Sequence, residues 1–96
     1  MYELRYLKAA ERYFKRIWEP RQARAFQDAL RVIAADPYAG DRKKGDLAGI
    51  FCYGFFNEKA YYEIAYRIYE ESGQSIVVVL SGTRETFYAE VKQYLQ

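Results

Sequence analysis

Arg84 and Tyr88 stand four residues apart near the end of the stretch QSIVVVLSGTRETFY, Gln74 to Tyr88. On a helix that spacing puts a guanidinium and a phenol on one face. A cation and a ring held together at the rim of a rigid element can handle an anion. The same arginine also suits hydrogen bonding at a helix end or loop, and the same tyrosine suits core packing. A second concentration of charge, Arg42, Lys43 and Lys44, lies in the stretch YAGDRKKGDLA between Tyr38 and Ala48. Three consecutive cations in a loop serve either as solubilising charge or as a phosphate clamp beside Arg84.

The elements that must position these groups follow from periodicity. Ile76 to Leu80 is a short, wholly apolar run and predicts a central strand covered on both faces. Ser81-Gly82-Thr83 then predicts a turn, with Gly82 free to adopt a conformation closed to other residues and Thr83 as N-cap of a helix carrying Arg84. That helix extends over Glu85 to Leu95, with Phe87, Val91, Tyr94 and Leu95 at helical spacing.

At the other end, Tyr2 to Tyr6 alternates and predicts a half-buried strand. From Lys8 the period becomes helical, with Leu7, Ala10, Phe14, Ile17 and Trp18 on one side and Glu11, Arg12, Lys15 and Arg16 on the other. Pro20 either ends this helix or begins the next. The second helix runs from about Arg21, with Phe26, Leu30 and Ile33 at its apolar positions, and stops before Pro37. Two amphipathic helices so close in sequence predict an antiparallel hairpin that needs a sheet to lie on. Ile50 to Phe56 and Ala60 to Tyr69 supply strands, joined by a tight turn at Asn57-Glu58-Lys59. The expected fold class is α+β in the order β-α-α-β-β-β-α, a two-helix hairpin on one face of a mainly antiparallel sheet with a short closing helix. The other face, carrying Tyr53, Tyr61 and Tyr69, is then open to a partner.

Composition bounds the function. The 96 residues fit a single domain over 1–96, half hydrophobic and with eleven tyrosines, a residue that buries area while keeping one wet end. One cysteine and no histidine exclude an internal disulfide and a Cys/His zinc site, so no metal or cofactor is expected. Charged residues run throughout the N-terminal stretch and no apolar run approaches the ~20 residues of a membrane span, so a cytoplasmic protein is expected. Residues 1–48 carry eleven Lys or Arg against seven Asp or Glu, and residues 49–96 four against six. The basic half is the one that would attract a phosphate backbone.

The element order, the segment Gly45-Asp46-Leu47-Ala48-Gly49, the strand YYEIAYRIY and the close GTRETFY together resemble the RelE/ParE superfamily of toxins from bacterial toxin–antitoxin pairs. The resemblance spans essentially the whole chain and rests on order and spacing, each motif being short. It implies a small α/β toxin neutralised by a cognate antitoxin that wraps a partly disordered segment around it. In the RelE branch such a toxin cleaves mRNA in the ribosomal A site, without metal, by attack of the 2′-hydroxyl on the adjacent phosphate. In the ParE branch it inhibits DNA gyrase by binding. A degenerate member that only binds its antitoxin is the third outcome the resemblance allows.

Under the nuclease reading, Arg84 matches the family arginine that follows the last central strand and would stabilise charge on the phosphate. Tyr88 matches the C-terminal tyrosine and would stack on a base or position the phosphate. Lys43 and Lys44, with Arg42, would supply a positive field. The chain departs from the pattern at Cys52 and Gly54, where RelE-type strands carry lysines, and at Glu63, where the next strand carries an arginine. Glu63 is then either the general base, paired with Arg84 at rest, or a cross-strand ion-pair partner. Cys52 reads as a small buried apolar side chain.

Overall fold

A computed structural model describes residues 1–71 and 73–95; the side chains of Thr86 and Tyr94 also fall outside the described part. The expected core position of Tyr94 and the part played by Ser72 in the turn before the last strand lie outside the described residues.

Helix α1 (Lys8–Lys15) follows strand β1 (Glu3–Tyr6), and α2 covers Pro20–Ala35. Pro20 begins the second helix: it sits in the first turn, where its missing N–H costs nothing, and the Glu19 carboxylate accepts from the Arg21 and Gln22 amides at 3.0 Å. The first helix is shorter than its periodicity predicts. It ends at Lys15, and Trp18, expected on its apolar face, lies in the interhelical link with 86% of its surface exposed.

The stretch read as a loop after Pro37 holds more structure than its composition suggests. A two-residue strand β2 (Asp41–Arg42) pairs antiparallel with β3 (Phe51–Asn57), and single 3₁₀ turns cover Pro37–Ala39 and Gly45–Leu47. Beyond these come β4 (Ala60–Tyr69), β5 (Ser75–Thr83) and α3 (Arg84–Leu95). The β3–β4 connection is the tight turn expected, with Asn57 paired to Ala60 and Glu58 at φ 56°.

The sheet order is β1-β5-β4-β3-β2, with β1 parallel to β5 and the other neighbours antiparallel. The apolar run expected at the centre therefore lies one strand away from it. The ten-residue β4 is the middle strand. Its length also overturns the turn expected at Ser81-Gly82-Thr83. These residues continue β5 because β4 offers them partners: Ser81 pairs with Ile64, Gly82 with Glu63 and Thr83 with Tyr62.

Both faces of the sheet are covered. On one, Ala10, Phe26, Ala29 and Ile33 of the helices pack on Phe51, Ile64, Tyr66, Ile76 and Val78. Phe26 is the hub, with Tyr13, Phe14, Phe55 and Tyr62 edge-on to it at centroid distances of 4.9 to 5.8 Å. On the other face, Phe87 and Val91 of α3 join Leu47, Ile50, Cys52, Ala65, Val79 and Leu80. Tyr53, expected on an open face, packs with the helix-hairpin core instead. Tyr61, Glu63 and Ala65 alternate onto the α3 side, where part of the surface near the β3–β4 turn stays accessible.

One polar clamp closes the far end. The Tyr2 hydroxyl donates to Glu70 Oε1 and the Tyr38 hydroxyl to Oε2 at 2.9 Å, tying β1 and the Pro37–Ala39 turn to the end of β4. The two hydroxyls, Tyr2 first, hold the Glu70 carboxyl below its ordinary value. A lowered folded value means the stabilisation is present above the unfolded carboxyl value of about 4.3 and is lost as pH falls through the folded one. Glu70→Gln is therefore expected to lower the urea midpoint at neutral pH, and the gap from wild type should close at acid pH. A gap that persists unchanged into acid would contradict a charge-dependent clamp.

Candidate functional site

The site assembles where β5 hands over to α3. Arg84 is the first residue of α3, so its position is fixed by the end of a strand that stays paired with β4 up to Thr83. One turn later Tyr88 leans on the core beneath α3. Between them lies Glu63, on the middle strand and 2% exposed. The register explains how a glutamate fits there: its neighbours across the sheet are Gly54 on β3 and Gly82 on β5. Neither contributes a side chain, which leaves a slot for the carboxylate.

Glu63 holds the site together. The Tyr88 hydroxyl donates to its Oε1 at 3.1 Å. Its Oε2 is buried and has no hydrogen-bond partner among the described residues; Arg84 Nε stands 3.6 Å away, an ionic contact beyond hydrogen-bond reach. A dry carboxylate with one oxygen unsatisfied is expensive to keep. The Arg84 side chain is 63% exposed, and Nε is the nitrogen set against the carboxylate. Beneath the guanidinium lies the Tyr61 ring, its centroid 4.5 Å from Arg84 Cζ.

Gly54 is what lets Tyr61 lie flat there. A Cβ at position 54 would collide with the Tyr61 hydroxyl oxygen and fall 2.5 Å from Cζ. We expect Gly54→Ala to displace the ring and cost about 1–2 kcal/mol in urea unfolding, through the lost cation–π contact and repacking. In a Tyr61→Ala background the same change should become neutral or stabilising, because alanine is preferred over glycine within a strand. Additive effects of the two substitutions would contradict this packing.

The basic triplet divides. Lys43 turns inward, its ammonium 5.0 Å from the centroid of the Tyr88 ring. The adjoining Tyr88 hydroxyl holds Lys43 above its ordinary value, against the opposing cost of partial burial. Tyr88 is itself raised, chiefly by burial and further by Glu63, while Lys43 pulls it down. Arg42 turns the other way, over the Phe51 ring at 5.4 Å. With Lys44, Tyr38, Phe51 and Ile68 it lines an open groove of about 540 Å³. All three loop cations thus line this groove, and Lys43 also reaches the Tyr88 ring and so links the groove to Arg84, Tyr88 and Glu63.

Two aromatic residues of the site are not singled out as site residues by the sequence. Tyr61 supports Arg84, and Phe56, 75% exposed, stands edge-on to Tyr61 with centroids 4.6 Å apart. The signal for both is the cross-strand pair Phe56–Tyr61 next to Gly54, visible only once the register is known. Cys52, on the same side of the sheet, is buried, and desolvation pushes its thiol up to about 12, so it stays protonated. Among the described residues, no group of three or more His, Cys, Asp or Glu could hold a metal ion, and no helix is long and apolar enough to cross a membrane.

Solved structures place this architecture in a known class. The chain superposes on the E. coli toxin RelE, a mutant in the free state, with a TM-score of 0.71 and 14% identity over 98% of this chain and 93% of that one. The toxin–antitoxin complex RelBE2 from Mycobacterium tuberculosis gives 0.67 and 23% identity over 86% and 98% of the two chains. The intact E. coli RelBE toxin–antitoxin complex gives 0.65 and 18% over 88% and 99%. The fold is thus the α+β fold of RelE-type toxins. Residues 4–92 match the family model described as ParE-like toxin of type II bacterial toxin-antitoxin system, and the chain belongs to that family: it is the toxin of a type II toxin–antitoxin system. No curated protein sequence matches it.

Proposed function

We propose that this toxin, acting as one domain, inhibits translation by cutting mRNA on the ribosome with groups supplied by its own chain, and that a cognate antitoxin neutralises it. One observation carries this reading: Arg84, Glu63, Tyr88 and Lys43 form a single connected set, with a buried carboxylate behind an exposed guanidinium.

Self-cleavage of RNA needs a proton acceptor for the 2′-hydroxyl, cationic support for the phosphate and a donor for the departing 5′-oxygen. Glu63 is too deeply buried to touch the substrate, but Tyr88 connects it to the surface. In the proposed step Tyr88 takes the 2′-hydroxyl proton as it passes its own to Glu63. The 2′-oxygen bonds to phosphorus and the bond to the 5′-oxygen breaks. Arg84 presents its guanidinium to the phosphate oxygens. Lys43, kept protonated, gives a proton to the 5′-oxygen and recovers it from solvent. Once the product leaves, Glu63 returns its proton to Tyr88 as Tyr88 releases one to solvent. The products are a 2′,3′-cyclic phosphate and a 5′-hydroxyl. Arg42 and Lys44 supply positive field along the adjoining groove, where the strand would continue.

A second reading, inhibition of DNA gyrase by protein binding, has a specific point in its favour. The Tyr61 ring occupies the space over Gly54, and Glu63 offsets the charge of Arg84, so the face is less basic than a phosphate site built on strand lysines. Expression of the toxin alone in a bacterial host separates the two. The nuclease reading expects growth arrest, new RNA ends within coding regions, and relief by the antitoxin. Arrest with intact mRNA and an SOS response would favour gyrase and overturn it.

A further inference from the structure

Phe56 is the least economical residue on this face. A phenylalanine that is 75% exposed at the end of a strand contributes little to the core, yet it is held in a defined place. Its cross-strand partner is Tyr61, directly opposite in the register, and the two rings meet at 69° with centroids 4.6 Å apart. Tyr61 is itself packed, between the backbone at Gly54 on one side and the Arg84 guanidinium on the other. The tight turn through Glu58 and Lys59 keeps the two strands in register beside it. The result is a braced ring next to a solvent-facing guanidinium.

We infer that Phe56 is a stacking platform for one base of the single-stranded RNA whose phosphate lies against Arg84. Braced aromatic rings beside a cation are how single strands are held irrespective of sequence, since every base has a π face. Continuity favours RNA as the occupant: Phe56, Tyr61 and Arg84 follow one another in contact, and Glu63 ties Arg84 to Tyr88 and so to Lys43, so a strand seated at the phosphate site has the Phe56 ring beside it. The inference rests on the nuclease reading and deepens it. Phe56 touches the substrate without taking part in proton transfer, so it governs binding and leaves the bond-breaking step alone.

The test uses the full chain and a single-stranded RNA oligonucleotide with 2′-deoxy substitution at the cleavage position and one 2-aminopurine base. Wild type should quench the fluorophore on binding. Phe56→Ala should bind about tenfold more weakly and lose the quench, while Phe56→Trp should restore both. In cleavage on programmed ribosomes, Phe56→Ala should raise KM with little change in kcat, the mark of lost binding and not of lost chemistry. Equal affinity and equal quench for wild type and Phe56→Ala, with cleavage retained by both, would overturn the platform and leave the nuclease reading standing. Unchanged RNA affinity with weakened antitoxin binding would make Phe56 a protein contact and overturn it as well. Absence of both RNA binding and cleavage in wild type would overturn the nuclease reading itself, and the platform with it.

Discussion

Arg84→Ala is expected to abolish growth arrest and to lower the rate of mRNA cleavage roughly 100- to 1,000-fold, the loss typical of removing one preorganised donor to a developing oxyanion. Arg84 is the cation of the site whose side chain is largely exposed while its Nε stays near Glu63. The fold should survive. The side chain is 63% exposed and its contact with Glu63 is long, so water can replace much of what is lost, and a stability cost of about 1 kcal/mol is expected. Retained antitoxin binding and an unchanged circular dichroism spectrum would verify this. Arg84→Lys should fall between the two, since a point charge replaces a planar fork. A well-folded Arg84→Ala toxin that still arrests growth would remove Arg84 from the mechanism.

Glu63→Gln should separate chemistry from structure. It keeps the shape of the side chain and an acceptor for the Tyr88 hydroxyl but cannot take a proton. Cleavage should fall about 100- to 10,000-fold. Stability should hold or rise, because the substitution removes a buried charge with an unsatisfied oxygen. Activity and stability moving in opposite directions is the signature of a carboxylate kept for function. If Glu63 were only an ion-pair partner, the substitution would lower stability and reduce toxicity no more than misfolding explains.

The placing of Arg84 and Tyr88 in the first turns of one helix is legible in the sequence because it depends on local features: an apolar run, then a strand end, then a helical period. What the sequence hides is nearly always a matter of register. Gly82 reads as a turn residue until β4 is known to extend far enough to pair with it, after which extended backbone is the natural state. The burial of Glu63 depends on glycines on both neighbouring strands, separated from it by 9 and 19 residues in sequence.

The same blindness affects the basic loop. Arg42, Lys43 and Lys44 look equivalent in a charged loop, yet Arg42 lies in a two-residue strand that period-based reading has no power to detect, and the alternation it imposes sends Lys43 inward. Helical spacing puts Trp18 in the core, but the helix has already ended at Lys15. For Tyr53, aromatics on both sides of the strand give no phase, and an open face is as good a reading as a covered one. The helix hairpin takes its side of β3.

The most direct measurement is end mapping of mRNA on programmed ribosomes treated with purified toxin, wild type beside Arg84→Ala. The nuclease account predicts fresh 5′-hydroxyl ends opposite 2′,3′-cyclic phosphates in the A-site codon, made by wild type and nearly absent with the variant. Intact mRNA from wild type, in a preparation that blocks DNA supercoiling by gyrase, would contradict it.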